Sequence, residues 1–209
     1  MKKLFLVIAV FTTVTAANAQ INGGLKAGFN LSIFGGDMEG ADFKPGFHLG
    51  GYANIGLGKK LSFQPELLVS TAGAKIVIKA DGFSLETTDK LTYLSIPLNL
   101  QYSIGNFNIH VGPQLSFLMS AKTEYTLTGR DMNNNPFTYS DEEDSKKYFK
   151  DVDFGLNFGA GLNFGKLGIS ARYSLGITDI SEPEEGTSVV DKWTNNVIQI
   201  SAMYKLFGK

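Results

Sequence analysis

Residues 151–164, DVDFGLNFGAGLNF, alternate between two kinds of side chain without a break. Val152, Phe154, Leu156, Phe158, Ala160, Leu162 and Phe164 form one phase; aspartates, asparagines and glycines form the other. Side chains on a β-strand point to opposite faces with period two, so this is a strand with one apolar and one polar face. LGISARYSLGIT (167–178) repeats the pattern, with Arg172 on the polar side. Eight such segments are read along the chain, at 23–34, 45–57, 61–79, 91–104, 107–126, 151–164, 167–178 and 195–207. A chain built this way folds as an all-β protein.

The connections select the topology. GKK (58–60), GN (105–106) and GK (165–166) are tight hairpin turns. The stretches 35–44, 80–90, 127–150 and 179–194 are longer. Long and short alternate, so an up-and-down meander places all the long connections at one end. The expectation is an eight-stranded antiparallel up-and-down transmembrane β-barrel with short periplasmic turns and long outer loops. A lipocalin-type soluble barrel alternates as well. Its water-facing phase would be rich in Lys, Glu and Asp, whereas the polar phase here is mainly Gly, Asn, Ser and Gln. Small polar residues suit a narrow lumen. Aromatic residues gather at both ends of the segments: Phe63, Tyr102, Phe107, Phe164, Tyr204 and Phe207 at the short turns, and Tyr93, Tyr125, Tyr148, Phe149 and Trp193 at the long loops. Two interfacial girdles would have this pattern.

The start of the chain fits that destination. MKKLFLVIAVFTTVTAANAQ carries Lys2 and Lys3, an apolar run and Ala17-Asn18-Ala19, the layout of a signal peptide over residues 1–19. The run is shorter than the roughly 20 apolar residues of a membrane helix. Residues 20–209 then form a single domain. Without Lys2 and Lys3, the 19 basic residues fall to 17 against 20 acidic ones, a net charge of −3. There is no basic patch for nucleic acid. The chain has no cysteine, so neither a disulfide nor a lipid-modified cysteine is available.

Several phrases resemble the PorT-like outer-membrane β-barrels of Bacteroidota. They are GLKAGFNLS (24–32), LSFQPELLVSTAGAK (61–75), YLSIPLNLQYSIG (93–105), GPQLSFLMSAK (112–122) and ARYSLGITDI (171–180), in the family's order. The ending departs from it, since Phe207 is followed by Gly208 and Lys209 rather than closing the chain. The resemblance implies an outer-membrane location and a barrel fold. It implies no cofactor and no catalytic residue. Its name-giving member takes part in protease secretion, a role that the resemblance alone does not transfer to this chain.

Candidate chemistry is sparse. His48 and His110 both fall on the lumenal phase, without the close partners of a metal site. Ser116 shares a phase with His110, but six residues of strand separate them by about 20 Å, far beyond hydrogen-bond reach. The glycines of GLNFGAGLNFG (155–165) lie on a strand, not between a strand and a helix, so they do not form a dinucleotide fingerprint. The acidic runs DEEDSKK (141–147) and SEPEEG (181–186) read as solvated loops. The lumenal charges are more informative. Lys26, Lys122, Arg172 and Lys205 stand against Glu66, Glu124, Asp151 and Asp153 on the polar phase. Charges in a narrow interior must be paired. Two networks are expected: Glu66 with Lys26 or Arg172, and Lys122, Glu124, Asp151 and Asp153 nearer the outer end.

The functional expectation is a non-enzymatic barrel with a plugged, charge-paired lumen and a structural or surface-interaction role. The alternatives are a component of a protein secretion or assembly system, or a carrier of a small apolar ligand. Expected contacts are outer-membrane lipid and lipopolysaccharide, with loops 127–150 and 179–194 as the place for a protein partner; the barrel itself is expected to be monomeric. Pro65, Pro97 and Pro113 predict a bulged or locally unpaired wall.

Overall fold

The computed structural model describes residues 20–36, 41–80, 82–131, 133–182 and 192–208. The signal-peptide reading of residues 1–19 lies outside them, as does most of the 181–186 acidic run. The described residues form eleven strands: β1 (Ile21–Gly36), β2 (Ala41–Asp42), β3 (Lys44–Gly56), β4 (Leu61–Ala72), β5 (Lys75–Ala80), β6 (Phe83–Ile104), β7 (Phe107–Arg130), β8 (Pro136–Asp144), β9 (Val152–Phe164), β10 (Leu167–Gly176) and β11 (Trp193–Phe207).

Eight of them close a ring. The antiparallel pairings run β1–β3–β4–β6–β7–β9–β10–β11, and β11 returns to β1 from Gly23↔Phe207 to Gly36↔Trp193. The protein is an eight-stranded antiparallel up-and-down transmembrane β-barrel. Closure leaves no edge strand in the ring and satisfies the ladder internally, which a membrane-spanning sheet requires. Gly105 and Gly165 take positive φ, 60° and 64°, in the two-residue turns, a backbone state that glycine adopts without steric cost. The outward phase is apolar along the middle of the ring: Phe29 is 77% exposed, and Leu49, Leu67, Ile109, Phe158, Ile169 and Ile200 join it in one belt. A patch of that extent is not left to water on a soluble monomer.

The remaining strands extend the wall at the long-connection end. β4 stops pairing with β6 at Ala72↔Leu91, and β9 stops pairing with β7 at Phe117↔Val152. Beyond those points β6 and β7 continue together, flanked by β5 and β8. With β2 on β5, the order β2-β5-β6-β7-β8 makes a five-stranded outer sheet. Two loop expectations are thereby corrected. Residues 83–90 belong to β6, and most of 127–150 is a β7–β8 hairpin followed by a short 3-10 turn at Lys146–Tyr148. The segment read as one strand over 61–79 breaks at Gly73, whose φ of 131° ends β4 before β5 begins.

The proline wall is locally unpaired but not shifted. Pairing passes from Tyr52↔Glu66 to Ile55↔Phe63, from Pro65↔Leu98 to Leu68↔Ser95, and from Pro97↔Gln114 to Leu100↔Val111. Each step skips two rows and keeps the register. Each proline removes one N–H, and the ladder resumes on the far side. The register shift in this wall lies elsewhere: Thr92 pairs with Ser120 but Tyr93 with Leu118, so Met119 is an extra residue in β7. A bulge of this kind flips the facing of everything beyond it.

Candidate functional site: the closed lumen

Inside the ring, β1, β4 and β10 bring Lys26, Glu66 and Arg172 to one level. Each is on the inward phase, and their exposures are 1%, 3% and 2%. Glu66 Oε2 accepts from Lys26 Nζ at 3.0 Å, and Glu66 Oε1 accepts from Arg172 Nη2 at 2.5 Å. Oε1 also accepts from Gln64 Nε2 at 2.9 Å and lies 3.4 Å from Asn99 Nδ2. One carboxylate thus holds two cations and two amides across the lumen. Gln64 and Asn99 were not among the expected charge partners, although both share the inward phase with their neighbours.

The histidines frame this layer. His48 Nδ1 lies 2.7 Å from Asn30 Oδ1 and its Nε2 lies 2.9 Å from Ser201 Oγ, so both ring nitrogens are engaged. A Cβ at Gly28 would collide with that ring and with the Ile200 carbonyl, so a glycine on β1 makes the space. His110 Nε2 accepts from Arg172 Nε at 3.5 Å. Among the described residues no group of His, Cys, Asp or Glu side chains could hold a metal ion. Ser116 Oγ meets Ser95 Oγ at 2.9 Å and Gln114 Nε2 at 3.1 Å, so its partners are polar side chains rather than a histidine.

The second expected network does not assemble. The bulge at Met119 turns Ala121 and Thr123 inward, and Lys122 and Glu124 outward. Lys122 Nζ pairs with Glu142 Oε1 at 2.7 Å on β8, and Glu124 Oε2 pairs with Lys90 Nζ at 2.7 Å on β6. Asp151 precedes β9 and stands in solvent against Lys146, 3.4 Å away. Only Asp153 of this group is inside, where it accepts from Thr178 Oγ1 at 3.0 Å. The three adjacent apolar residues Phe117-Leu118-Met119 are the sequence signal of this bulge, because strict alternation fails there.

The outer end of the lumen is capped by apolar side chains. Phe34, Ala72, Leu91, Tyr93, Leu118, Phe149, Ile180 and Val197 are buried in one cluster, with Trp193 and Tyr148 packed on it. Trp193 stacks on Phe34 with ring centroids 6.0 Å apart, and Phe149 lies 6.1 Å from each of them. Tyr93, Phe149 and Trp193 therefore cap the lumen instead of forming the expected outer girdle. Asp179 staples the cap. It accepts from Ser181 N and Oγ, Lys150 Nζ and Trp193 N. Burial raises the pKa of its carboxyl, but these donors outweigh burial and hold it well below the usual carboxylate range.

At the opposite end the lumen opens into a cavity of about 230 Å³, lined mainly by amide and hydroxyl side chains. From the long-connection end to the short-turn end the interior is thus an apolar cap, a charged layer and a polar vestibule.

Comparison with known proteins agrees with this architecture. The model of the outer membrane protein beta-barrel domain matches residues 15–182. The chain belongs to that family. Its ring of strands is therefore an outer-membrane barrel. Among solved structures it is similar to Ail, the attachment invasion locus protein of Yersinia pestis, at 11% identity and a TM-score of 0.44, covering 90% of this chain and 99% of that one. It is also similar to Neisserial surface protein A, at 10% identity and a TM-score of 0.42, covering 88% of this chain and 97% of the other. No curated protein matches the chain.

Proposed function

We propose that this outer-membrane protein is a monomeric, non-enzymatic barrel that does not conduct and that presents its outer sheet for contact at the cell surface. One observation carries the reading: the lumen is filled by the Glu66 layer and the apolar cap, while β5–β8 continue beyond them. The working surface is then the wall and the outer sheet rather than a channel. The closed ring supports a monomer, since it offers no strand edge within the membrane. Lipid contacts the apolar belt, and lipopolysaccharide surrounds the outer sheet. A protein partner would meet the 127–150 hairpin and the 179–194 segment. The likeness to PorT-like barrels supports the same location, with export through the 1–19 leader; a secretion role has no residue here to carry it. An apolar-ligand role is disfavoured by a lumenal cavity lined largely by amides and hydroxyls.

Orientation is the test. The chain has no cysteine, so a single introduced one is the only thiol. Thr138→Cys on β8 will react with a membrane-impermeant maleimide on intact cells. Lys59→Cys, in the β3–β4 turn, will react only after lysis. The opposite pattern would place the outer sheet in the periplasm and remove the surface role.

A further inference from the structure

The polar vestibule has a charge character that a mere water-filled mouth does not need. Among the described residues Lys166 and Lys205 line it, and no carboxylate does. Above it the buried layer carries two cations, Lys26 and Arg172, against the single carboxylate of Glu66. Both levels are therefore net positive. Two buried polar atoms in this region also lack a protein partner: Ser170 Oγ, on a residue 7% exposed that lines the vestibule, and Arg172 Nη1, two residues further along β10. A buried unpartnered donor costs about 1–3 kcal/mol, more when charged, so such groups are retained where something fills them. Further hydrogen-bonding groups surround the space, from Asn108, Asn163 and Gln101. At about 30 Å³ per water, the cavity has room for roughly seven waters, or for one small polyatomic anion with part of its hydration shell.

We infer that the vestibule is a binding site for a small free oxyanion of the phosphate type, held by Lys205 and Lys166 at the mouth and by Ser170 at its inner end. Phosphate offers several acceptor oxygens to converging donors, and charge-assisted hydrogen bonds to it are stronger than neutral ones. A lipid headgroup is not the source, because the apolar outward phase separates the site from the bilayer. The site is a dead end: the Glu66 layer closes its inner side. It binds; it does not transport.

The test uses the mature chain refolded in a detergent with an uncharged headgroup. Inorganic phosphate is titrated against sodium chloride at matched ionic strength, and NMR shifts are followed for the Ser170 amide and the Asn108 and Asn163 side-chain amides. Phosphate should give saturable shifts at these groups, and chloride should not. Lys166→Gln with Lys205→Gln should weaken phosphate binding about tenfold or more while leaving the rest of the spectrum unchanged, since both lysines lie at the mouth. Ser170→Ala should weaken it less, as a neutral donor is removed. Absence of saturable shifts, equal shifts with chloride, or undiminished affinity in the double lysine variant would each overturn the assignment.

Discussion

Replacing Glu66 by glutamine will cost the barrel more than any other single polar change in the lumen. The substitution keeps the shape and removes the only carboxylate, among the described residues, within reach of Lys26 Nζ and Arg172 Nη2. Two buried cations are then left facing each other. Breaking a buried ion pair by removing one partner costs about 3–5 kcal/mol, because the orphaned charge stays desolvated. The fraction that refolds to the heat-modifiable, fast-migrating form should drop sharply. The second half of the test separates charge from packing. Lys26→Met added to Glu66→Gln restores the single excess positive charge of the native layer, and refolding should recover in large part. If the Glu66→Gln variant refolds as well as the native chain, the carboxylate is not what holds this level together.

Phe149→Ala should open the outer cap without opening the barrel. Phe149 is 5% exposed and packs against both Phe34 and Trp193, and truncating a buried Phe typically costs about 3–5 kcal/mol. The loss will be local. Phe149 pairs with Ser181, and Lys150 N donates to the Ile180 carbonyl, so the segment before β9 and the segment after β10 are tied together beside this ring. Hydrogen exchange should accelerate at Lys150 and Ile180, while protection in β1, β10 and β11 is kept. Uniform acceleration across the ring would show that cap and barrel unfold as one unit.

The barrel was legible because period-two patterning and the alternation of turn lengths are local signals repeated many times. The inward phase also put Lys26, Glu66 and Arg172 in the lumen as candidate partners. Lys122 and Glu124 were misplaced because one extra residue, Met119, reverses the phase of everything beyond it, and the polar alternation on either side of it looks continuous. The outer sheet was hidden for a different reason. KTEYTLTGR and PFTYSDEED set only Tyr125 and Leu127, and Phe137 and Tyr139, among polar residues, so they carry little of the contrast that marks a membrane strand. The cap depended on distant parts of the chain. Phe149, Ile180 and Trp193 lie in or beside segments that read as polar loops, and only closure of the ring brings them over the Phe34 end of β1.

The closed lumen is tested most directly by electrical recording. The purified mature chain is reconstituted into a planar bilayer under an applied voltage, with a known porin as the positive control. A barrel blocked by the Glu66 layer and the apolar cap will give no stepwise conductance above the bare membrane. Stable, protein-dependent open steps from the native chain would contradict that account and make this barrel a channel.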